Sequence, residues 1–234
     1  MPYDFDTIAA RYDRMNHLMT AGLDRRWRRL AVRQLGGGSK RVLDVACGSG
    51  DMMVELSRQG HSPVGIDLSR EMLSVARQKG DFQLVQGDAM QMPFASGMFD
   101  AVTCAFGVRN FANLEGGLSE MLRVLKPGGM LVVLELSTPD SPLVRPFYSL
   151  YAERLIPLLG GLVAGNRQAY TYLPRSIRDF PKGEAFGRIV RKLDADCRER
   201  RLTFGVCRLY TITKRPPQGD LYAINPKTKM GNAL

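Results

Sequence analysis

The residues of this chain best suited to chemistry are two glycines and two carboxylates, each set behind a short apolar run. Gly48 and Gly50, with Ser49 between them, follow Val42-Leu43-Asp44-Val45-Ala46-Cys47. Glycines there let the backbone bend sharply and approach a ligand with no Cβ in the way. Asp67 closes His61-Ser62-Pro63-Val64-Gly65-Ile66, about twenty residues past the glycines, where an acidic side chain accepts both hydroxyls of an unphosphorylated ribose. Asp88 follows Phe82-Gln83-Leu84-Val85-Gln86-Gly87, where it can accept the exocyclic amine of adenine, and the small Ala89 leaves room for the ring. This chemistry is the gripping of a nucleoside.

The same residues discriminate between nucleosides. A dinucleotide fingerprint needs a third glycine at position 53, which is Met53 here. Asp51 at the start of the following helix would oppose a pyrophosphate at that helix N-terminus. S-adenosylmethionine, with a ribose and an adenine but no phosphate, fits better than NAD or FAD.

Positioning these groups requires alternating strands and helices. Val42 to Val45, His61 to Asp67, Phe82 to Gln86, Phe99 to Phe106 and Met130 to Glu135 read as buried strands of one parallel sheet covered on both faces. Leu114, Leu118, Met121, Leu122 and Leu125 fall on one helix face, and Lys126-Pro127-Gly128-Gly129 turns that helix into the fifth strand. Arg201 to Val206 and Arg208 to Lys214 read as a closing antiparallel hairpin about Gly205. Before the first strand, Phe5, Ile8, Tyr12 and Met15 have helical spacing, and a second helix carries Leu23, Trp27, Leu30 and Leu35 against five arginines elsewhere. Residues 1–38 are thus expected as a helical lid, although periodicity alone favours packing on the sheet. Residues 137–183 form an apolar insertion, with Leu143, Val144, Phe147, Leu150, Tyr151 and Leu155, then Leu158, Leu159, Leu162 and Val163. The insertion could line a tunnel for a greasy tail, face a second copy of the chain, or be ordinary core. One domain over 1–214 is expected, with 215–234 as a flexible tail.

In this order and at these spacings, the motifs resemble the class I methyltransferases. Two stretches narrow the family: Phe5 to Asn16 with Leu18 to Arg28, and Phe106-Gly107-Val108-Arg109-Asn110. With Asp44 to Asp51 and Tyr170-Thr171-Tyr172-Leu173-Pro174-Arg175-Ser176-Ile177, they are similar to the ubiquinone/menaquinone biosynthesis C-methyltransferases, the UbiE/MenG family. Ser49 stands where that family usually has Thr, and the stretch past Arg215 does not match its ending.

The resemblance implies a Rossmann-like fold with a mostly parallel seven-stranded sheet. It implies methyl transfer from S-adenosylmethionine to a ring carbon of a polyprenylated quinol, first demethylmenaquinol and second a methoxy-polyprenyl-benzoquinol. Ala46, Cys47, Gly48, Ser49, Gly50, Asp67, Leu68, Asp88, Ala89 and Ala105 would hold the cofactor. Arg109 and Asn110, past the carboxyl end of strand four, would orient substrate and handle protons, with Tyr12 nearby. Arginine stays protonated, so Arg109 suits stabilising a quinolate while water takes the proton. No metal is required.

A formal net charge of +10 fits anionic phospholipid headgroups and also RNA. Against RNA, the residues after strand four lack the Asn/Asp-Pro-Pro-aromatic pattern of amine methylation, and no cysteine has the Pro-Cys setting that pyrimidine carbons need. A non-enzymatic scaffold would predict weak cofactor binding. Cys47, Cys104, Cys197 and Cys207 show no metal spacing, no run is long and apolar enough to span a bilayer, and no signal pattern opens the chain. A cytoplasmic protein, peripheral at the inner face of the membrane, is the expectation.

Overall fold

The computed structural model describes residues 9–151 and 167–215. Expectations for Phe5, Ile8, Leu155, Leu158, Leu159, Leu162, Val163 and 216–234 lie outside the described residues, as do the side chains of Tyr12, Met15 and Phe147.

Two helices, α1 (Ala9–Met19) and α2 (Leu23–Val32), precede the first strand. The chain then alternates through β1 (Arg41–Val45), α3 (Asp51–Arg58), β2 (Ser62–Asp67), α4 (Arg70–Arg77), β3 (Gln83–Gln86), β4 (Phe99–Ala105), α5 (Leu114–Val124) and β5 (Leu125–Leu136). After β5 come α6 (Arg145–Leu150), α7 (Arg167–Asp179), α8 (Glu184–Lys192), β6 (Ala195–Leu202) and β7 (Cys207–Lys214). The strands form one seven-stranded sheet in the order β3-β2-β1-β4-β5-β7-β6. β1 to β5 are mutually parallel, and β7 pairs antiparallel with both β5 and β6. Chain order reverses between β1 and β4, so a crevice opens at their carboxyl ends, where sheets of this kind bind ligands.

Both faces of the sheet are buried, which explains its continuous apolar strands. Leu43, Val45, Val102, Leu131 and Val133 pack with Leu118 and Met121 of α5 and Phe186 and Val190 of α8. On the other face Val42, Ala101, Val132 and Leu134 meet Trp27, Ala31 and Val32 of α2 and Met52 and Leu56 of α3. Burying a side chain such as Val32 contributes about 1.5–3 kcal/mol, so α2 is anchored to the sheet rather than lifted from it. Met53 is fully buried where a third glycine would have sat, and β2 supplies the room. A Cβ on Gly65 would lie 2.6 Å from the Met53 sulfur.

Most strand boundaries fall within a residue of the sequence reading, and two differ by more. Leu125 belongs to β5, fully buried opposite Phe99, because its backbone has already turned extended at the end of α5. The last hairpin opens at Ala195, not Arg201, and Thr203–Gly205 is a 3-10 turn rather than strand. β6 is an edge strand with Asp196, Arg198, Glu199, Arg200 and Arg201 along it, charges that discourage edge-to-edge pairing and erase the apolar alternation.

Candidate active site

The glycine corner is shaped by positive backbone angles at Ala46 (φ 53°), Gly48 (53°) and Gly50 (86°). Its position relative to β2 is set by one carboxylate. Asp67, buried at the end of β2, accepts the Gly48 N–H at 2.8 Å through Oδ2 and the Ser69 N–H at 2.9 Å through Oδ1. Asp88 accepts the Met90 N–H at 2.9 Å through Oδ1. Ala46, Asp67, Leu68, Asp88, Ala89 and Asn110 share the wall of one cleft, and among the described residues no lysine or arginine lines it. Two carboxylates and no cation suit an adenosine with free ribose hydroxyls and repel a pyrophosphate, so S-adenosylmethionine fits these residues.

Five expected cofactor residues are not in that wall, Gly48 among them, its N–H already given to Asp67. The Cys47 sulfur points toward Gly65, Gly50 packs against Ala76 of α4, and Ala105 packs toward the core face that holds α2. Ser49 donates its hydroxyl to Asp13 of α1, and Asp13 also pairs with Lys79 at 2.5 Å. Burial pushes the Cys47 and Cys104 thiols well above their ordinary pKa, so neither is a nucleophile.

At the end of β4 the chain leaves the sheet through Phe106 (φ 62°). A Cβ on Gly107 would lie 2.7 Å from the Ala46 Cβ and 3.0 Å from the Cys104 sulfur, so glycine is what lets this turn rest against the β1 corner. The 3-10 turn Val108–Asn110 follows. Arg109 is only 5% exposed in its side chain. It donates through Nη1 to Glu135 Oε1 at 2.7 Å and to the Phe106 carbonyl. Glu135 in turn accepts the backbone N–H groups of Arg109 and Leu136, at 3.2 and 2.9 Å. Asn110 is buried and its Oδ1 accepts the Tyr172 hydroxyl at 3.1 Å. These adjacent residues face two chambers: Asn110 lines the adenosine cleft, and Arg109 lines a second cavity.

That second cavity holds about 450 Å³ and is mainly apolar, with Met19, Leu23, Trp27, Phe106 and Leu173 among its walls. Its polar groups are few. Tyr148 of α6 is one, its phenol pushed up to about 12 by burial against the opposing pull of Arg109, so it is a neutral donor at physiological pH. The rim is stitched by two bonds, Trp27 Nε1 donating to Thr203 Oγ1 at 2.9 Å and the Tyr151 hydroxyl to the Met19 carbonyl. Arg28 stacks over Phe106, 5.1 Å from the ring centroid, and pairs with Asp24 at 2.5 Å. Burial alone would raise Asp24; Arg28, Thr20 and His17 outweigh it and hold the carboxyl below its ordinary value. Among the described residues His17, Asp24 and Asp51 stand close enough to share a cation, but Arg28 and Lys79 already pair with those carboxylates. The group is an ion-pair network.

The model of the ubiE/COQ5 methyltransferase family matches residues 3–214. The chain belongs to that family. It is 44% identical to the demethylmenaquinone methyltransferase of Deinococcus radiodurans over 90% of this chain and 91% of that protein. It is 43% identical to the ubiquinone/menaquinone biosynthesis C-methyltransferase UbiE of Geobacter sulfurreducens, over 90% and 86%. Its fold is shared with a S-adenosylmethionine-dependent methyltransferase of Thermotoga maritima, described as a possible histamine N-methyltransferase, at a TM-score of 0.66 and 19% identity over 90% and 98% of the two chains. This member of the ubiE/COQ5 family is therefore a methyltransferase whose methyl donor is S-adenosylmethionine.

Of the residues expected to do chemistry, Arg109 and Asn110 reach the two chambers from one turn. Tyr12 falls within α1 with its side chain outside the described ones. Sequence reasoning missed Tyr148, the Glu135 partner of Arg109 and the Asp13–Lys79 pair. Tyr148 was hidden inside an apolar helical repeat. The other two are contacts across 26 and 66 residues, which no local pattern announces.

Proposed function

We propose that the protein methylates a ring carbon of a polyprenylated demethylmenaquinol; several relatives are named demethylmenaquinone methyltransferases. The observation that carries this reading is the mainly apolar cavity of about 450 Å³ beside the adenosine cleft, with the Arg109 guanidinium and the Tyr148 phenol in its wall and Arg28 already paired with Asp24. A flat aromatic head with an isoprenoid tail matches such a wall, and a charged nucleic acid does not. A second reading, a methoxy-polyprenyl-benzoquinol, is favoured by relatives whose names join ubiquinone with menaquinone.

Asp67 would hold the ribose and Asp88 the adenine amine. The bound cofactor supplies an electrophilic methyl on a sulfonium. The chain's own residues make the acceptor carbon nucleophilic. Arg109, fixed by Glu135, faces the oxygen that gains negative charge as the quinol hydroxyl gives its proton to water. Tyr148, as a neutral donor, hydrogen-bonds the same head group and fixes its face. Asn110, held by Tyr172, stands between the chambers. The ring carbon gains its bond to methyl as the methyl–sulfur bond breaks and a neutral thioether leaves; the ring C–H then gives up its proton while the quinol oxygen regains the one it lost, so a single proton is released overall and charge and atoms balance. An enclosed apolar wall keeps water from competing for the methyl and aligns the reactants. Since a polyprenyl tail keeps the acceptor in lipid, we also propose contact with an anionic membrane surface. Among the described residues no helix is long and apolar enough to cross one.

The test incubates the protein with methyl-labelled S-adenosylmethionine and, separately, demethylmenaquinol, the methoxy-benzoquinol and total RNA. Label should enter demethylmenaquinol. In the same assay Arg109→Ala should retain donor affinity while turnover falls by about 10²-fold or more, the scale of losing a donor aimed at developing charge. Label in RNA alone, or unchanged turnover, would refute the assignment.

A further inference from the structure

The arginines of α2 are the part of the sequence that the methyl-transfer site leaves largely unexplained. Arg25, Arg28 and Arg29 line a third cavity, of about 390 Å³, between α2 and α3. Arg58, from the last turn of α3, and Lys79 join them there, facing the acids Asp51 and Glu55. Val54 is the one apolar side chain in that wall among the described residues.

The acids do not cover the cations. Asp51 is taken by Lys79 at 2.6 Å, and Glu55, which already accepts Gln59 Nε2 at 2.7 Å, meets Arg29 only at 3.8 Å. Arg25 and Arg58 form no ion pair among the described residues. Arg28 gives Nη1 to Asp24 and keeps a buried Nε with no acceptor. Arg25 also stands in the first turn of α2, where a cation opposes the helix dipole, and it repels Arg29 one turn on. An anion held among these groups relieves both repulsions.

We infer that this third cavity binds a soluble, multiply charged oxyanion of the phosphate class, and that Arg28 transmits its occupancy to the apolar cavity. Guanidinium forks pair bidentately with phosphate oxygens, and a lone carboxylate would leave part of this charge unanswered. A lipid headgroup would bring acyl chains, and the wall offers them only Val54. Arg28 belongs to both cavity walls and stacks over Phe106, whose ring centroid lies 6.4 Å from that of Trp27. An anion that draws on Arg28 therefore changes how the guanidinium rests on this aromatic pair. The site depends on neither the donor nor the acceptor assignment.

Calorimetry with inorganic diphosphate in a chloride buffer, with no methyl donor or quinol present, tests the site. The protein should bind one diphosphate per chain, and Arg25→Gln with Arg58→Gln should weaken binding by about tenfold or more. Both side chains are exposed and unpaired among the described residues, so that variant should melt with the parent protein. Arg26→Gln with Arg33→Gln removes the same charge from the same stretch outside the cavity, and should leave the affinity within about twofold. Trp27 is the single tryptophan, so its emission should shift or lose intensity as diphosphate binds. Phosphatidylglycerol vesicles should not displace the bound diphosphate. Absence of binding, or equal weakening by the two double variants, would overturn the site; displacement by vesicles would overturn the soluble ligand, and an unmoved Trp27 emission the link through Arg28.

Discussion

Asp44 is the residue whose ionisation the fold most disturbs. It lies wholly buried in β1, accepts the Thr103 hydroxyl at 2.8 Å and leaves Oδ2 without a partner. Burial pushes its pKa up to about 7, with the Asp67 charge adding and the Thr103 bond opposing. An acid whose folded pKa exceeds its unfolded one favours the fold while protonated. That contribution is whole below the unfolded value of 3.8 and is lost as pH rises to about 7. Between pH 5 and 8 the protein should lose on the order of 2–3 kcal/mol that the Asp44→Asn variant does not, read as the difference in their urea unfolding curves. Matching curves would refute the assignment. The sequence made Asp67 and Asp88 legible because each ends a strand at a fixed interval. It gave no sign that Asp44, one turn of the same motif away, is the carboxylate kept out of water, since burial depends on β4 lying alongside.

The elements that build the site were easier to read than the contacts between them. Strands β1, β2, β4 and β5 announced themselves as apolar runs, because a strand covered on both faces leaves no position for polar alternation; edge strand β3 showed only its short Leu84-Val85 centre. Edge strand β6 did not, since its charges follow solvent rather than the core. The α1–α2 pair was legible as helices, but its two halves behave differently. α2 is core against the sheet, and α1 meets the glycine corner through Asp13. The closest joint in the site is between elements, where the turn after β4 rests on the corner after β1. Gly107→Ala should force that joint apart and cost about 1–3 kcal/mol, because its added Cβ meets the Ala46 Cβ and a buried sulfur. Gly107 has an ordinary φ of −106°, so the loss would be steric and should relax in Gly107→Ala/Ala46→Gly. Thermal melts of the single and double variants, with calorimetry of donor binding, measure it; a single variant as stable and tight-binding as the parent protein would show the contact to be slack.

At the scale of the whole molecule, the family fold, the donor and the class of acceptor were within reach of the sequence, while the walls of the acceptor cavity were not. Ligand-binding glycines and acids lie in consecutive order along the parallel strands. The apolar cavity is assembled from α1, α2, α6, α7 and the β6–β7 turn, segments far apart in the chain, so its existence waits on the tertiary fold. Among the described residues the two chambers have no lining residue in common, and Arg109 and Asn110, neighbours on one short turn, face one each. Reactants that arrive through different doors need not queue. The demethylated donor should be able to leave while the finished quinol still sits in place, and the reverse, so neither departure gates the other. Steady-state inhibition by each product should then follow a random-order pattern, and a strictly compulsory order would show that one doorway is shut until the other empties.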